Sequence, residues 1–70
     1  MDVQIRITGG SITIGQLLKK IGVIDTGGQS KSFLLSNKVL INDKAPVGRS
    51  SKVHSGDIVW INDKMFQIIE

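Results

Sequence analysis

Apolar and polar positions alternate along the first residues, with Val3, Ile5 and Ile7 set against Gln4, Arg6 and Thr8. That period of two predicts a half-buried strand, ended by Gly9-Gly10. Ser11 and Ile12 lead to Thr13, and the period then lengthens. Ile14, Leu17, Leu18 and Ile21 fall at i, i+3, i+4 and i+7, one apolar stripe on a short helix. Thr13 and Gln16 form a T-x-x-Q capping box at its start, and Gly22 supplies a C-terminal stop. Lys19 and Lys20 fall away from the stripe and are free to face a ligand. Val23-Ile24 reads as an apolar connector packed under a second helix. Thr26 and Gln29 repeat the box, so both helices are expected to open in the same way. At about 100° per residue, Ser30, Phe33 and Leu34 share one face, with Ser30 small enough for close helix packing. Gly28 and Lys31 point toward the opposite side. Asn37 can take the left-handed conformation that ends a helix, and Lys38 follows it.

From Val39 the period is that of strands. Val39-Leu40-Ile41 is apolar and mostly β-branched, and Asn42-Asp43 suits a tight turn with positive φ. Ala45-Pro46-Val47 is a weak return segment, held to an edge or loop by its proline. Gly48-Arg49-Ser50-Ser51-Lys52 reads as polar and mobile. Gly56-Asp57 turns into Ile58-Val59-Trp60-Ile61, which is apolar on both faces and therefore central in a sheet. Asn62-Asp63 then turns into a closing strand, Met65 to Ile69. Ile41-Asn-Asp-Lys44 and Ile61-Asn-Asp-Lys64 are identical tetrapeptides with different flanks, one hairpin solution used twice. The expected fold class is α+β: two short helices packed on a small antiparallel or mixed sheet.

Seventy residues make a single domain, residues 1–70, that buries only about 60% of its unfolded surface. Without cysteine it has neither disulfides nor thiolate metal sites to supplement its core. Met1-Asp2-Val3-Gln4 is neither basic nor followed by a long apolar run, so no signal peptide is expected, and no run approaches the roughly 20 apolar residues of a membrane span. A soluble, cytoplasmic protein is expected. The net charge is +3, and its distribution is uneven. Between Ile14 and Gly56 lie Lys19, Lys20, Lys31, Lys38, Lys44, Arg49 and Lys52, against Asp25 and Asp43 only. A basic middle on a small domain suits a polyanionic partner; the plainer alternative is a solvated lysine face.

No catalytic or metal constellation is present in the sequence. His54 is the only histidine, it has no cysteine to work with, and no H-x-x-x-H or H-E-x-x-H spacing surrounds it. Asp43 and Asp63 sit in turns and Asp57 beside a glycine, where carboxylates serve backbone geometry, and Asp25 precedes a helix as a cap or dipole partner. No serine has a base and an orienter. Neither an enzyme, a cofactor nor a small-molecule substrate is expected. Gly27-Gly28 opens the second helix with Lys31 one turn further in. Glycines there let a phosphate approach backbone N–H groups with no Cβ in the way. The pair alone could be a mere flexible turn. It matches neither G-x-x-x-x-G-K-S/T nor G-x-G-x-x-G after a strand, so nucleotide binding is not expected. Trp60 lies in the most apolar strand, and with Phe33 and Phe66 as the other aromatics it makes no stacking platform. Charge and shape directed at a folded RNA fit better.

Gly15-Gln16-Leu17-Leu18-Lys19, Gly27-Gly28-Gln29-Ser30-Lys31, Val39-Leu40-Ile41-Asn42-Asp43 and Gly56-Asp57-Ile58-Val59 together resemble the S-four RNA-binding domain, also called the alpha-L motif. The resemblance spans about residues 12–69 and is nearest to small stand-alone bacterial members of the YaaA type, which carry L-K, G-G-x-A/S-K, V-x-V-N and G-D in this order. It implies an RNA-binding protein for ribosomal or transfer-RNA-like structured RNA, acting in ribosome biogenesis or translation; a non-enzymatic monomer is expected. By position it implicates Lys19, Gly28, Gln29, Lys31, Arg49 and Lys52, beside Lys20, Gly27 and Lys38 from the residues themselves. The chain departs from the pattern in three places. Glycine stands early in the second helix where many members have arginine. Gly48-Arg49-Ser50-Ser51-Lys52 lacks two charges of the usual R-R-G-R/K-K cluster. Asn42-Asp43 replaces Asn-Gly. The alternative is a small protein-interaction module with no RNA role. Its sulfur-carrier version, with a β-grasp-like sheet, needs a C-terminal Gly-Gly where this chain reads Gln67-Ile68-Ile69-Glu70.

Overall fold

In the computed structural model, which describes residues 2–70, the alternating start of the chain forms β1 (Asp2–Arg6). β2 (Ser11–Thr13), α1 (Ile14–Ile21), a 3-10 turn (Gly27–Gln29) and α2 (Ser30–Ser36) follow. β3 (Val39–Ile41), β4 (Lys52–His54), β5 (Ile58–Ile61) and β6 (Lys64–Ile69) complete it. The architecture is α+β, as expected. The main sheet runs β1-β6-β5-β3. β1 lies parallel to β6, whereas β6–β5 and β5–β3 are antiparallel. β5 is thus an inner strand, as its two-sided apolar character required.

Register decides which residues meet the helices. Val3 stands beside Phe66 and Ile5 beside Ile68; Val59 faces Phe66, and Val39 faces Ile61. Because side chains alternate across a strand, these form one face, packed with Ile14, Leu17, Leu18 and Ile24 into a single core. The other face carries the row Leu40, Trp60 and Met65, all half-buried. Trp60 is therefore a sheet residue, as read from its strand, though packed outside the core.

The capping box of α1 is complete: the Gln16 N–H donates to Thr13 Oγ1 and the Thr13 N–H to Gln16 Oε1, each at 3.2 Å. Gly22 ends α1 at φ +94°, its N–H reaching the Leu18 and Lys19 carbonyls. A left-handed residue is needed there, and glycine takes it without a Cβ penalty.

Four expectations need correcting. The Thr26–Gln29 box forms as expected, with Gln29 Oε1 accepting from the Thr26 N–H, but it opens a 3-10 turn, and α2 follows that turn with no side-chain cap of its own. Asn37 is extended, at φ −131° and ψ 150°, not left-handed. Its N–H and Nδ2 both donate to the Phe33 carbonyl, and Asn62 draws Asn37 and Lys38 straight into β3. The twin tetrapeptides are two different turns. Asn42 and Asp43 both have positive φ, at 50° and 70°, and Ile41 bridges Lys44, but the return segment forms no strand. Asn42 instead bonds Ile58 and Asp57. The second turn joins β5 to β6, with Asn62 at φ 56°. Last, Ser11 and Ile12, read as a lead-in to Thr13, and Lys52, read as the end of a polar stretch, belong to two short strands, β2 and β4, that pair as an antiparallel ribbon around the fully buried Val53.

Candidate nucleic-acid interface

The stretch after β3 is held, not mobile. Ser51 Oγ accepts from the Val47 N–H at 2.9 Å and the Gly48 N–H at 3.3 Å, and the Ser51 N–H returns to the Gly48 carbonyl. The same loop covers the start of α1. The Ile14 N–H donates to the Ser51 carbonyl at 2.8 Å and the Gly15 N–H to the Arg49 carbonyl at 3.0 Å. These bonds satisfy helix-terminal donors that have no partner within the helix. They also fix the backbone of Arg49, whose Nη1 reaches across to the Gly27 carbonyl at 3.3 Å.

Gly15 is where α1, α2 and the loop converge. A Cβ there would stand 3.0 Å from Ser30 Oγ and 3.2 Å from the Arg49 carbonyl. Ser30 is wholly buried, as its small size and helix face suggested. Sequence reasoning missed Gly15. The available signal was a glycine inside the first turn of a helix, where alanine is favoured on propensity.

At the start of α2 the situation is reversed. Gln29 Oε1 accepts from the N–H groups of Asp25 and Thr26, and the Gln29 N–H returns to the Thr26 carbonyl. The N–H groups of Gly27 and Gly28 have no acceptor among the described residues. Nothing lies within 4 Å of a Cβ built on Gly27, and only Thr26 Oγ1, at 3.9 Å, near one on Gly28. Neither has a positive φ. The pair is thus not demanded by backbone geometry, and its open side faces solvent.

Five of the nine candidate residues converge here. Lys19, Gly27 and Arg49 line one depression, and Gly28, Lys31 and Arg49 line the groove next to it. Arg49 belongs to both. Among the described residues no carboxylate lies within 4.0 Å of the cationic groups of Lys19, Lys31 or Arg49; the one contact of that kind is between His54 Nδ1 and Asp57 Oδ2, at 3.7 Å. The other four lie elsewhere. Lys20 lies on the flank of α1 near Ile7 and Thr8. Lys38 is past the end of α2, near Ala45 and Pro46. Lys52 is exposed on β4, opposite Thr13. Gln29 holds the turn through its side chain and lines a depression with Ser32 and Ser36.

The carboxylate of Asp57 works inside the fold. Partial burial pushes its pKa up, but hydrogen bonds from the His54 N–H at 2.8 Å and Asn42 Nδ2 at 2.9 Å, with the nearby His54 ring, outweigh this and hold it below the usual carboxylate range. It thereby clamps the turn after β3 to the turn before β5.

Residues 5–69 match the family model of the S4 domain, the S-four domain resembled above. The chain belongs to the S4 domain family. It is also similar to the probable ribosome maturation protein RlbA of Bacillus subtilis (strain 168), at 42% identity over 59 residues, 83% of each chain. The S4 match takes in α1, the glycine pair, α2 and the loop that carries Arg49. No helix among the described residues is long and apolar enough to cross a membrane.

Proposed function

We propose that this S4 domain protein binds structured RNA, in the form of ribosomal RNA or a pre-ribosomal particle, as a cytoplasmic monomer without catalytic activity. The observation that carries this reading is the convergence of Lys19, Lys31 and Arg49, unneutralised, around the open N–H groups of Gly27 and Gly28. The family match and the relative named for ribosome maturation support it. Phosphates at this surface would meet three cations and two N–H donors that have no acceptor among the described residues. Such an interface reads backbone spacing and shape, which suits A-form and folded RNA.

Titrating a structured RNA and a DNA duplex of equal length against the protein over a range of salt tests this. Preference for the RNA is expected, with a log–log slope of about two to three for three neutralised phosphates. Equal affinity for both, or an affinity insensitive to salt, sinks the reading in favour of a protein-interaction module. Crosslinking in cells, followed by sequencing of the bound RNA, names the target.

A further inference from the structure

Two of the most exposed large apolar side chains lie beside the cations. Val47 is 101% exposed and Leu35 79% exposed, and with Leu34 and Pro46 they wall a groove of about 660 Å³ between α2 and the loop. Lys31 and Arg49 also line it. Its size falls within the roughly 300–1,000 Å³ of clefts that hold ligand-sized groups. Exposed apolar side chains gathered at one place mark a contact surface; a bare phosphate has no apolar part to set against them, and the paired backbone of a duplex offers only the small C–H edges of its riboses.

Charge decides the occupant. No carboxylate lines the groove or the neighbouring depression, and Arg49 is common to the two, with Lys31 on one side and Lys19 on the other. An occupant matching this order has an apolar, flat unit flanked by anionic groups that continue past Arg49. Nucleotides in a strand have that form, provided the base is not already stacked in a helix. We infer that the groove is a pocket for one unpaired nucleotide of the bound RNA, its base against Leu34, Leu35, Pro46 and Val47 and its flanking phosphates at Lys31 and Arg49. This rests on the RNA-binding reading above and goes beyond it, since it assigns a place where the RNA must be unpaired.

The test compares RNA hairpins that share one stem, fully paired or carrying a single bulged nucleotide, each of the four bases in turn. Binding is measured for the wild type and for a Leu35→Ser, Val47→Ser double variant. Both side chains are exposed, so the thermal midpoint of the double variant should match the wild type. The wild type is expected to prefer at least one bulged hairpin by about tenfold, which at about 25 cal/mol per Å² requires only some tens of Å² of apolar surface to be taken from water. The double variant should lose that preference while keeping its affinity for the paired hairpin and its salt slope. A Leu35→Met, Val47→Ile variant, apolar like the wild type, should keep the preference. Salt-dependent binding without any bulge preference overturns the pocket and leaves the RNA reading intact. A preference that survives the serine substitutions also overturns it. No binding to any hairpin removes the RNA reading and the pocket together. Unchanged RNA binding by the double variant, with loss of a protein from ribosomal particles, shows instead that the groove takes a protein.

Discussion

Thr13-Ile14-Gly15-Gln16 and Thr26-Gly27-Gly28-Gln29 place threonine, glycine and glutamine at the same three positions, and the two helix starts they open are put to different use. At α1 the loop covers the end: Ser51 and Arg49 carbonyls take the Ile14 and Gly15 N–H groups, and Gly15 is pressed against Ser30 and Arg49. At the start of the 3-10 turn nothing covers Gly27 and Gly28, and their N–H groups stay open beside Arg49. The capping signature fixes where a helix begins. What the rest of the chain lays over that beginning decides whether it is a closed structural joint or an open surface. The third position makes this concrete, since glycine at 15 is required by crowding and glycine at 28 by nothing inside the fold.

The largest effects belong to the covered end. Leu17→Ala should cost about 2–5 kcal/mol of stability, as expected for a wholly buried leucine, enough to unfold much of so small a domain in a denaturant titration. Gly15→Val should cost about 1–3 kcal/mol by overpacking. The Arg49 carbonyl is backbone and already bonded to Gly15, so it cannot retreat without losing that bond. The shift should also disturb Arg49 and weaken RNA binding. A Gly15→Val protein with wild-type stability would mean that the joint at α1 is looser than its 3.0 Å and 3.2 Å approaches indicate.

At the open end the consequences move from stability to binding. Lys31→Glu should weaken RNA binding by about 1–3 kcal/mol, removing a charge-assisted contact and adding repulsion. Lys31 is exposed and without an ionic partner among the described residues, so its thermal midpoint should barely change. A large stability loss with unchanged affinity would make Lys31 structural and erase the contrast between the two ends.

Asp57 sharpens the contrast from outside either end. Its folded-state pKa lies below that of the unfolded chain, about 3.9 for an ordinary aspartate. The folded state therefore gains stability from its ionised form above that pH and loses it as pH falls through the depressed value. Asp57→Asn should lower stability modestly at neutral pH and flatten its acid-side decline. It should leave RNA affinity at neutral pH unchanged, because Asp57 lines neither of the two depressions that share Arg49. Unfolding curves from pH 3 to 7 check the first part; an unaltered acid limb would mean that the clamp contributes nothing.

What the sequence made legible was local. The Thr13–Gln16 box, the Ile14/Leu17/Leu18 stripe, Gly22 and the turn at Asn42-Asp43 each act within four or five residues, and each stands as read. The losses are nonlocal or too short to show a period. β2 and β4 have three residues each, and only their pairing around Val53 makes them strands. Ser51 turns a run of glycine, serine and basic residues into an ordered loop through bonds to Val47 and Gly48 that composition does not announce. The meeting of Arg49 with Gly27, 22 residues apart, depends on that loop crossing α1 first. Asn37 could have ended its helix left-handed, and the pull of Asn62, 25 residues on, keeps it extended. The candidate cations Lys19, Lys31 and Arg49 were visible one by one. Which of them share a surface was settled by the loop.

The smallest effect tests the open end most directly. Gly28 is exposed, has no positive φ, and a Cβ on it meets only Thr26 Oγ1 at 3.9 Å. Replacing it with alanine removes freedom from the unfolded chain without straining the folded one, so Gly28→Ala should raise stability by about 0.4–1 kcal/mol. The same methyl projects from the surface where the Gly28 N–H has no acceptor among the described residues, and it should hold a phosphate away from that donor. Stability and RNA affinity are therefore expected to move in opposite directions, and Gly28→Val should weaken binding further than Gly28→Ala. Paired thermal melts and RNA titrations at one salt concentration measure both. Unchanged or tighter binding by the two variants would refute a close backbone contact and leave the cations acting alone. A loss of stability in Gly28→Ala would show that this turn, like the one at Gly15, has no room for a side chain, and the two helix starts would then differ only in what covers them.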